Sequence, residues 1–231
     1  MDKKQLDTDL LPYPLPPWHH RFRTLSIFCE VDEAALLPRI PEPLELACNI
    51  VQITVMHFES TVPTRPYYDS AVIAQVRYGN EIGGHWVHAF TSTDQVCAGT
   101  RELWGFRMKL AAMELHIDKD RVWGFTERLG RRVIEIDMRV TGEAFEPLKT
   151  FPRLFLKALP EADRPEAIKR QVVQLPAETE VTETVWGTGT VNFEASDEDP
   201  THLLKPSRVH GASLVSGNQV LPWGVVLSEH K

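Results

Sequence analysis

Ile134, Ile136, Met138 and Val140 are apolar, while Glu135, Asp137 and Arg139 between them are charged. A strict period of two separates these sets onto opposite sides of extended backbone, whereas a helix would scatter them around its axis. The run therefore predicts a strand over residues 133–140 with one core face and one wet face. Leu25, Ile27, Cys29 and Val31 alternate in the same way with Thr24, Ser26 and Glu30, which predicts a second half-buried strand. Further strands are expected over 50–58, 67–78, 85–93, 103–111, 122–127, 185–193, 208–216 and 219–227. Gly79-Asn80, Gly83-Gly84 and Gly130 are expected to punctuate them as turns. Gly187-Thr-Gly189 suggests a bend or bulge in its strand.

Helical signals are few. Asp32 is a candidate N-cap, and Pro38 closes a short helix after its second turn. Residues 197–204 fit one more short helix, and the polar stretch 161–180 is expected as a surface loop or short helix. Many strands with no alternating strand–helix rhythm predict an α+β, mainly antiparallel β domain. Residues 1–20 stand apart. Pro12, Pro14, Pro16 and Pro17 forbid helix there and favour an extended arm that packs on a neighbouring subunit. The domain organisation expected is thus an arm over 1–20 and a single domain over 21–231, assembled as a homo-oligomer.

Composition narrows the function. A net charge of −7 and a pI near 5.7 provide no basic field for nucleic acid or an anionic membrane. No apolar run reaches the ~18 residues needed to span a bilayer. Cys29, Cys48 and Cys97 are sparse, with no Cys-x-x-Cys, which points to a reducing cytoplasm and away from a disulfide scaffold or a cysteine zinc site. His85 and His88 would point to opposite faces of a strand, a poor metal pair. No metal and no cofactor is assigned.

The stretch most suggestive of chemistry begins with the adjacent pair Arg101-Glu102 and runs through Leu103, Trp104 and Phe106 to Lys109, between Met108 and Leu110. An amine held among large apolar neighbours has a lowered pKa and becomes nucleophilic at neutral pH. A lysine that carries its ammonium out to water does neither. Arg101-Glu-Leu-Trp-Gly-Phe-Arg-Met-Lys-Leu110 resembles the active-site segment of the acetoacetate decarboxylase family, which reads Arg-Glu-Leu, three residues, Pro-Lys-Lys-Leu. Ile40-Pro-Glu-Pro-Leu-Glu45 and Pro66-Tyr-Tyr-Asp-Ser70 agree with that family in order and spacing. More loosely so do Phe155-Leu-Lys-Ala-Leu-Pro160, Asp199-Pro200 and Leu221-Pro-Trp-Gly224.

The resemblance implies a β-rich double barrel around a central cavity and an enzyme acting on a small oxo-acid or related carbonyl substrate. It also exposes a departure. The family's imine-forming lysine is the first of its pair, and Met108 stands at that position. Lys109 aligns with the second lysine, and Arg107 replaces the proline. If 103–110 is extended, Phe106, Met108 and Leu110 share one face while Arg107 and Lys109 share the other, which turns Lys109 from the cavity. A bulge at Gly105 would bring it back. The family's pocket carboxylate maps to Asp69, beside Tyr67, and a second carboxylate is replaced by Thr54. The N-terminal arginine that holds a substrate carboxylate falls near Arg21 and Arg23, with the ungapped register on Phe22. Arg101-Glu102 matches closely and is expected as a buried structural ion pair.

The candidate site is therefore Lys109 and Asp69 as catalytic groups, with Arg21, Arg23, Tyr67, Phe106 and Met108 against substrate. Three functions stay open: lyase chemistry through an imine on Lys109, acid–base cyclase, hydratase or lactone-opening chemistry through Asp69 without an imine, and non-catalytic binding of a small molecule.

Overall fold

The computed structural model describes residues 10–161 and 164–230. Its strands are β1 (Trp18–Glu30), β2 (Glu45–Val62), β3 (Tyr67–Tyr78), β4 (Glu81–Thr91), β5 (Lys109–Leu110), β6 (Ala112–Ile117), β7 (Arg121–Arg128), β8 (Arg131–Val140), β9 (Arg153–Glu161), β10 (Arg164–Leu175), β11 (Glu178–Asn192), β12 (Val209–Leu221) and β13 (Val225–His230). They belong to one sheet in the order β13-β10-β9-β4-β3-β2-β1-β12-β11-β8-β7-β6, with β5 attached to β4. Pairing is antiparallel except where β4 meets β5 and β9. The mainly antiparallel β class expected from the alternation is what the chain adopts. Among the described residues the strand order is open, ending at β13 and β6, and its hydrogen bonds do not close the double barrel.

The sheet curls so that β6, β7 and β8 pack back on β1, β2 and β3. This buries both faces of the central strands. Leu25, Ile27 and Cys29 on β1, and Val31 just beyond it, join Ile53, Val55, Ile134, Ile136 and Met138 in the larger apolar core. The opposite face of the same strands carries Phe22, Met56, Phe58, Tyr67 and Ile73, which join Trp18, Trp86, Trp104, Phe106, Met108 and Phe155 in a second, aromatic-rich core. The polar face expected to be wet on β1 is therefore internal, and Ser26 is buried.

Helices are short. In α1 (Glu33–Leu36) the Asp32 carboxylate accepts from the Ala34 amide at 3.0 Å, the cap expected there. α2 (Asp94–Leu103) lies where no helix was expected: the strand expected over 85–93 is present as β4 but stops at Thr91, and of the strand expected over 103–111 Leu103 is helical and only Lys109–Leu110 is extended. Thr93 caps it, with its side chain accepting from the Val96 amide, and Val96, Gly99 and Thr100 form its buried side. The stretch 161–180, expected as loop or helix, instead contributes β10 and the start of β11. Residues 201–204 form a single 3-10 turn.

Residues 1–9 of the proposed arm lie outside the described residues. The remainder packs on its own chain: Tyr13 is buried and donates to Glu102 on α2 at 2.6 Å, and β1 begins inside the expected arm, at Trp18.

Candidate active site

Cross-strand register places the inner side chains in rows. One row runs Ser213–Ser26–Thr54–Ala71–Ala89 across β12, β1, β2, β3 and β4. Every member is small, so the curled sheet cannot fill its own interior there. The result is a cavity of about 290 Å³ lined by Thr24, Ser26, Gln52, Thr54, Met56 and Phe58 on β1 and β2, with further walls from β11 and β12. The irregular segment 141–152 supplies Pro147, Leu148, Thr150 and Phe151 to the same lining.

That segment delivers the one charged group of the lining among the described residues, Arg153 at the start of β9. It approaches β4 at Gly83 and Gly84. A Cβ on Gly84 would lie 2.5 Å from the Thr150 carbonyl oxygen and one on Gly83 2.0 Å from that of Pro152. These two glycines were expected to form a turn; they lie inside β4, and their missing side chains let Arg153 dock. The Arg153 guanidinium is held between rings, 4.6 Å from the Trp86 centroid and 4.5 Å from that of Phe151. It is buried, and its Nη1 has no hydrogen-bond partner. Burial lowers its pKa to about 10, against the opposing pull of Asp69 and Tyr67.

Asp69 occupies the next row, opposite Met56 on β2 and Thr91 on β4. Met56 lines the cavity, so the carboxyl shares that inner face. Asp69 is 4% exposed, and one of its oxygens, Oδ1, is without a partner. Burial raises its pKa from 3.8 to about 7, and a hydrogen bond with Thr91 and the charge of Arg153 only partly offset this. A carboxyl that titrates near neutrality, facing a guanidinium with a free N–H, can exchange a proton with a bound anion's neighbouring atom. Tyr67 is buried one row further, its hydroxyl sharing a 3.2 Å hydrogen bond with His20 Nε2, and burial pushes its pKa well up.

The other candidates sort differently. Phe106 is buried against Phe155, at 3.9 Å between centroids. Met108 is fully buried in the same core as Met56, Phe58 and Ile73, which line the cavity. Lys109 is corrected: its ammonium leaves this core and binds the buried Asp199 carboxylate at 2.6 Å and the Glu198 carbonyl at 2.9 Å. The cause is the turn after α2. The amides of Trp104, Gly105 and Phe106 all donate to the Thr100 carbonyl, and Gly105 has φ 90°, which glycine alone adopts without strain. Residues 106–109 then alternate inward and outward, as the parity argument required, although Leu110 turns to solvent.

Arg21 and Arg23 are also corrected. Both point out of the sheet and pair with Glu59, while Phe22 between them lines the cavity. Arg101 and Glu102 are exposed and do not pair with each other. Arg101 Nη1 donates to the Met108 carbonyl at 3.3 Å, and Glu102 receives Tyr13. Sequence reasoning missed Arg153, whose flanking Pro152 and Leu154 give no local signal. It also missed the polar wall of Ser26 and Gln52, which looked like the wet side of a strand.

A family model for acetoacetate decarboxylase (ADC) matches residues 8–230. The chain belongs to the acetoacetate decarboxylase family. A Burkholderia vietnamiensis relative named acetoacetate decarboxylase is 27% identical over 163 residues, which cover 65% of this chain and 64% of the relative. The chain thus spans somewhat less than two thirds of that relative's length. The crystal structure of acetoacetate decarboxylase from Legionella pneumophila superposes with a TM-score of 0.85 at 23% identity, covering 96% of this chain and 91% of that one. The enduracididine biosynthesis enzyme MppR superposes at 0.82 with 16% identity, covering 94% and 91%. The last two likenesses establish the fold, which proteins with differently named roles share.

Proposed function

We propose that this member of the family is an acid–base enzyme for a small carboxylate that bears a carbonyl, working without an imine. The observation that carries this reading is the pairing of Met108, buried in the aromatic-rich core that borders the cavity, with Lys109, tied to Asp199 outside that core. Among the described residues no lysine lines the cavity, so the amine that an imine needs has no place beside the substrate. The free Nη1 of Arg153 holds the carboxylate, in the role expected of Arg21 or Arg23. Asp69 removes a proton from the carbon next to the carbonyl, becomes the neutral acid, and returns the proton either elsewhere on the enol or to a departing hydroxyl. The net change is isomerisation or loss of water. Residence in a reducing cytoplasm and assembly as a homo-oligomer belong to the same reading. All three cysteines are free, in keeping with the former.

The test is solvent exchange. The protein is incubated in D₂O with acetoacetate, 2-oxobutyrate and 4-oxopentanoate, deuterium at the carbon beside the carbonyl is followed by NMR, and a parallel sample is reduced with borohydride and mapped by mass. Exchange that vanishes in Asp69→Asn, with no reduced adduct, is the expected result. An adduct on any lysine, or carbon dioxide release from acetoacetate by Asp69→Asn, would overturn it.

A further inference from the structure

Four side chains of the cavity lining form a directed hydrogen-bond chain. The Thr150 hydroxyl donates to Gln52 Oε1 at 3.0 Å, and Gln52 Nε2 donates to Ser26 Oγ at 2.9 Å. The Ser26 hydroxyl donates to Thr54 Oγ1 at 3.4 Å, and the Thr54 hydroxyl donates to the Leu25 carbonyl at 2.9 Å. The direction is fixed at its last member, because a backbone carbonyl only accepts. With the Thr54 proton committed there, Thr54 can only accept from Ser26. Ser26, having given its own proton, can only accept from the Gln52 amide.

Each hydroxyl proton of this wall is thus consumed inside the protein, and the unused valences facing the cavity are chiefly lone pairs. Ser26 Oγ, Thr54 Oγ1 and Gln52 Oε1 each keep one and Thr150 Oγ1 two, against a single unused N–H on Gln52. All four residues line the cavity, and Ser26, Thr54 and Thr150 are buried. A carboxylate is repelled by such a wall, and a purely apolar tail leaves its lone pairs dry. A neutral donor fits it. Among the described residues the only cation of the lining is Arg153, where the substrate's negative end is held.

We propose that the substrate is a small hydroxylated carboxylate, held by its carboxylate at Arg153 and by its hydroxyl, as donor, at the Ser26–Gln52–Thr150 wall. This rests on the carboxylate-binding role given to Arg153 above and adds the second recognition element. Ser26 and Gln52 are then specificity-determining residues. Because the wall is internally satisfied when empty, it rewards a hydroxyl without severely penalising its absence. The discrimination is that of one neutral hydrogen bond, about tenfold.

The experiment uses two probes that differ by one hydroxyl, 4-oxopentanoate and 5-hydroxy-4-oxopentanoate. Each is titrated against the whole chain by calorimetry, with folding of every variant checked by circular dichroism. The wild type is expected to bind the hydroxylated probe about tenfold more tightly. Ser26→Ala and, separately, Gln52→Leu should bring the ratio close to one with the affinity for 4-oxopentanoate retained. Arg153→Ala should lose both probes. Equal binding of the two probes by the wild type, or a tenfold ratio that survives in both Ser26→Ala and Gln52→Leu, would overturn the hydroxyl assignment while leaving Arg153 as the anchor. Failure of the wild type to bind either probe would remove the carboxylate reading and this assignment together.

Discussion

Replacing Asp69 by asparagine is expected to stabilise the protein, and only above a definable pH. Asparagine matches the neutral acid in shape and keeps a hydrogen-bonding edge toward Thr91. Its stability therefore follows that of a protein whose residue 69 never ionises. In the wild type the unfolded chain ionises this group near 3.8, whereas burial holds the folded carboxyl protonated up to about pH 7. The folded-state pKa is the higher one, so the folded form binds the extra proton between these values. Stability linked to Asp69 is fully present below pH 3.8 and is lost as the pH rises through about 7. A gap of about three pKa units corresponds to about 4 kcal/mol. Asp69 is 4% exposed, so solvent screening takes little from that figure. In a chain of 231 residues it translates to about 8–16 °C in Tm. Thermal melts of wild type and Asp69→Asn, compared pairwise at each pH from 4 to 8.5, should coincide at the acid end. They should diverge by several degrees in favour of the variant above pH 7. A difference independent of pH, or a variant that melts lower at pH 8, would refute the claim that the carboxyl is held neutral by burial.

Met108→Lys should place an amine in the buried core beside the cavity, where burial keeps it neutral. Borohydride reduction with acetoacetate should then label residue 108, while a folded variant without label would contradict the inward placement of Met108. Lys109→Met removes a side chain that is 43% exposed and should cost about 1 kcal/mol or less, with catalysis unchanged. Asp199→Asn strips a buried carboxylate from both Lys109 and Arg128 and should cost about 3 kcal/mol, read from urea midpoints. His20 and His85 are buried with pKa values lowered to about 4, so the stability they contribute is present above pH 6.5 and lost as the pH falls towards 4. His85→Gln should flatten that acid loss in urea titrations at pH 5 and 7.5, and an unchanged slope would assign the loss to other groups.

Strands announced themselves where one face met a continuous core. β8 was readable because Ile134, Ile136 and Met138 all enter the larger core, and Tyr67–Tyr78 was bounded correctly for the same reason. α2 was missed although its cues were present: Thr93 as cap, Asp94 in the first turn, and Val96, Gly99 and Thr100 at helical spacing. A flanking strand pattern outweighed them. β10 was missed because Arg164, Glu166, Lys169 and Arg170 look like loop composition, while its place in the sheet is set by pairing with β9 and β13. At the site, Asp69 and Met108 were legible through a motif. Arg153 was not, because its role is created by a glycine pair some seventy residues earlier in the chain.

The turn from Trp104 to Arg107 has a consequence for how such a protein changes over time. It decides by length, rather than by residue identity, which of two neighbouring side chains looks inward. Removing one residue from the exposed Arg107 position would slide Lys109 to the place now held by Met108 and pull it off Asp199. A single codon lost there would then exchange a thioether for an amine at the heart of the protein, with every residue that lines the cavity left as it is. On the function proposed above, the boundary between two chemistries lies in the spacing of a loop.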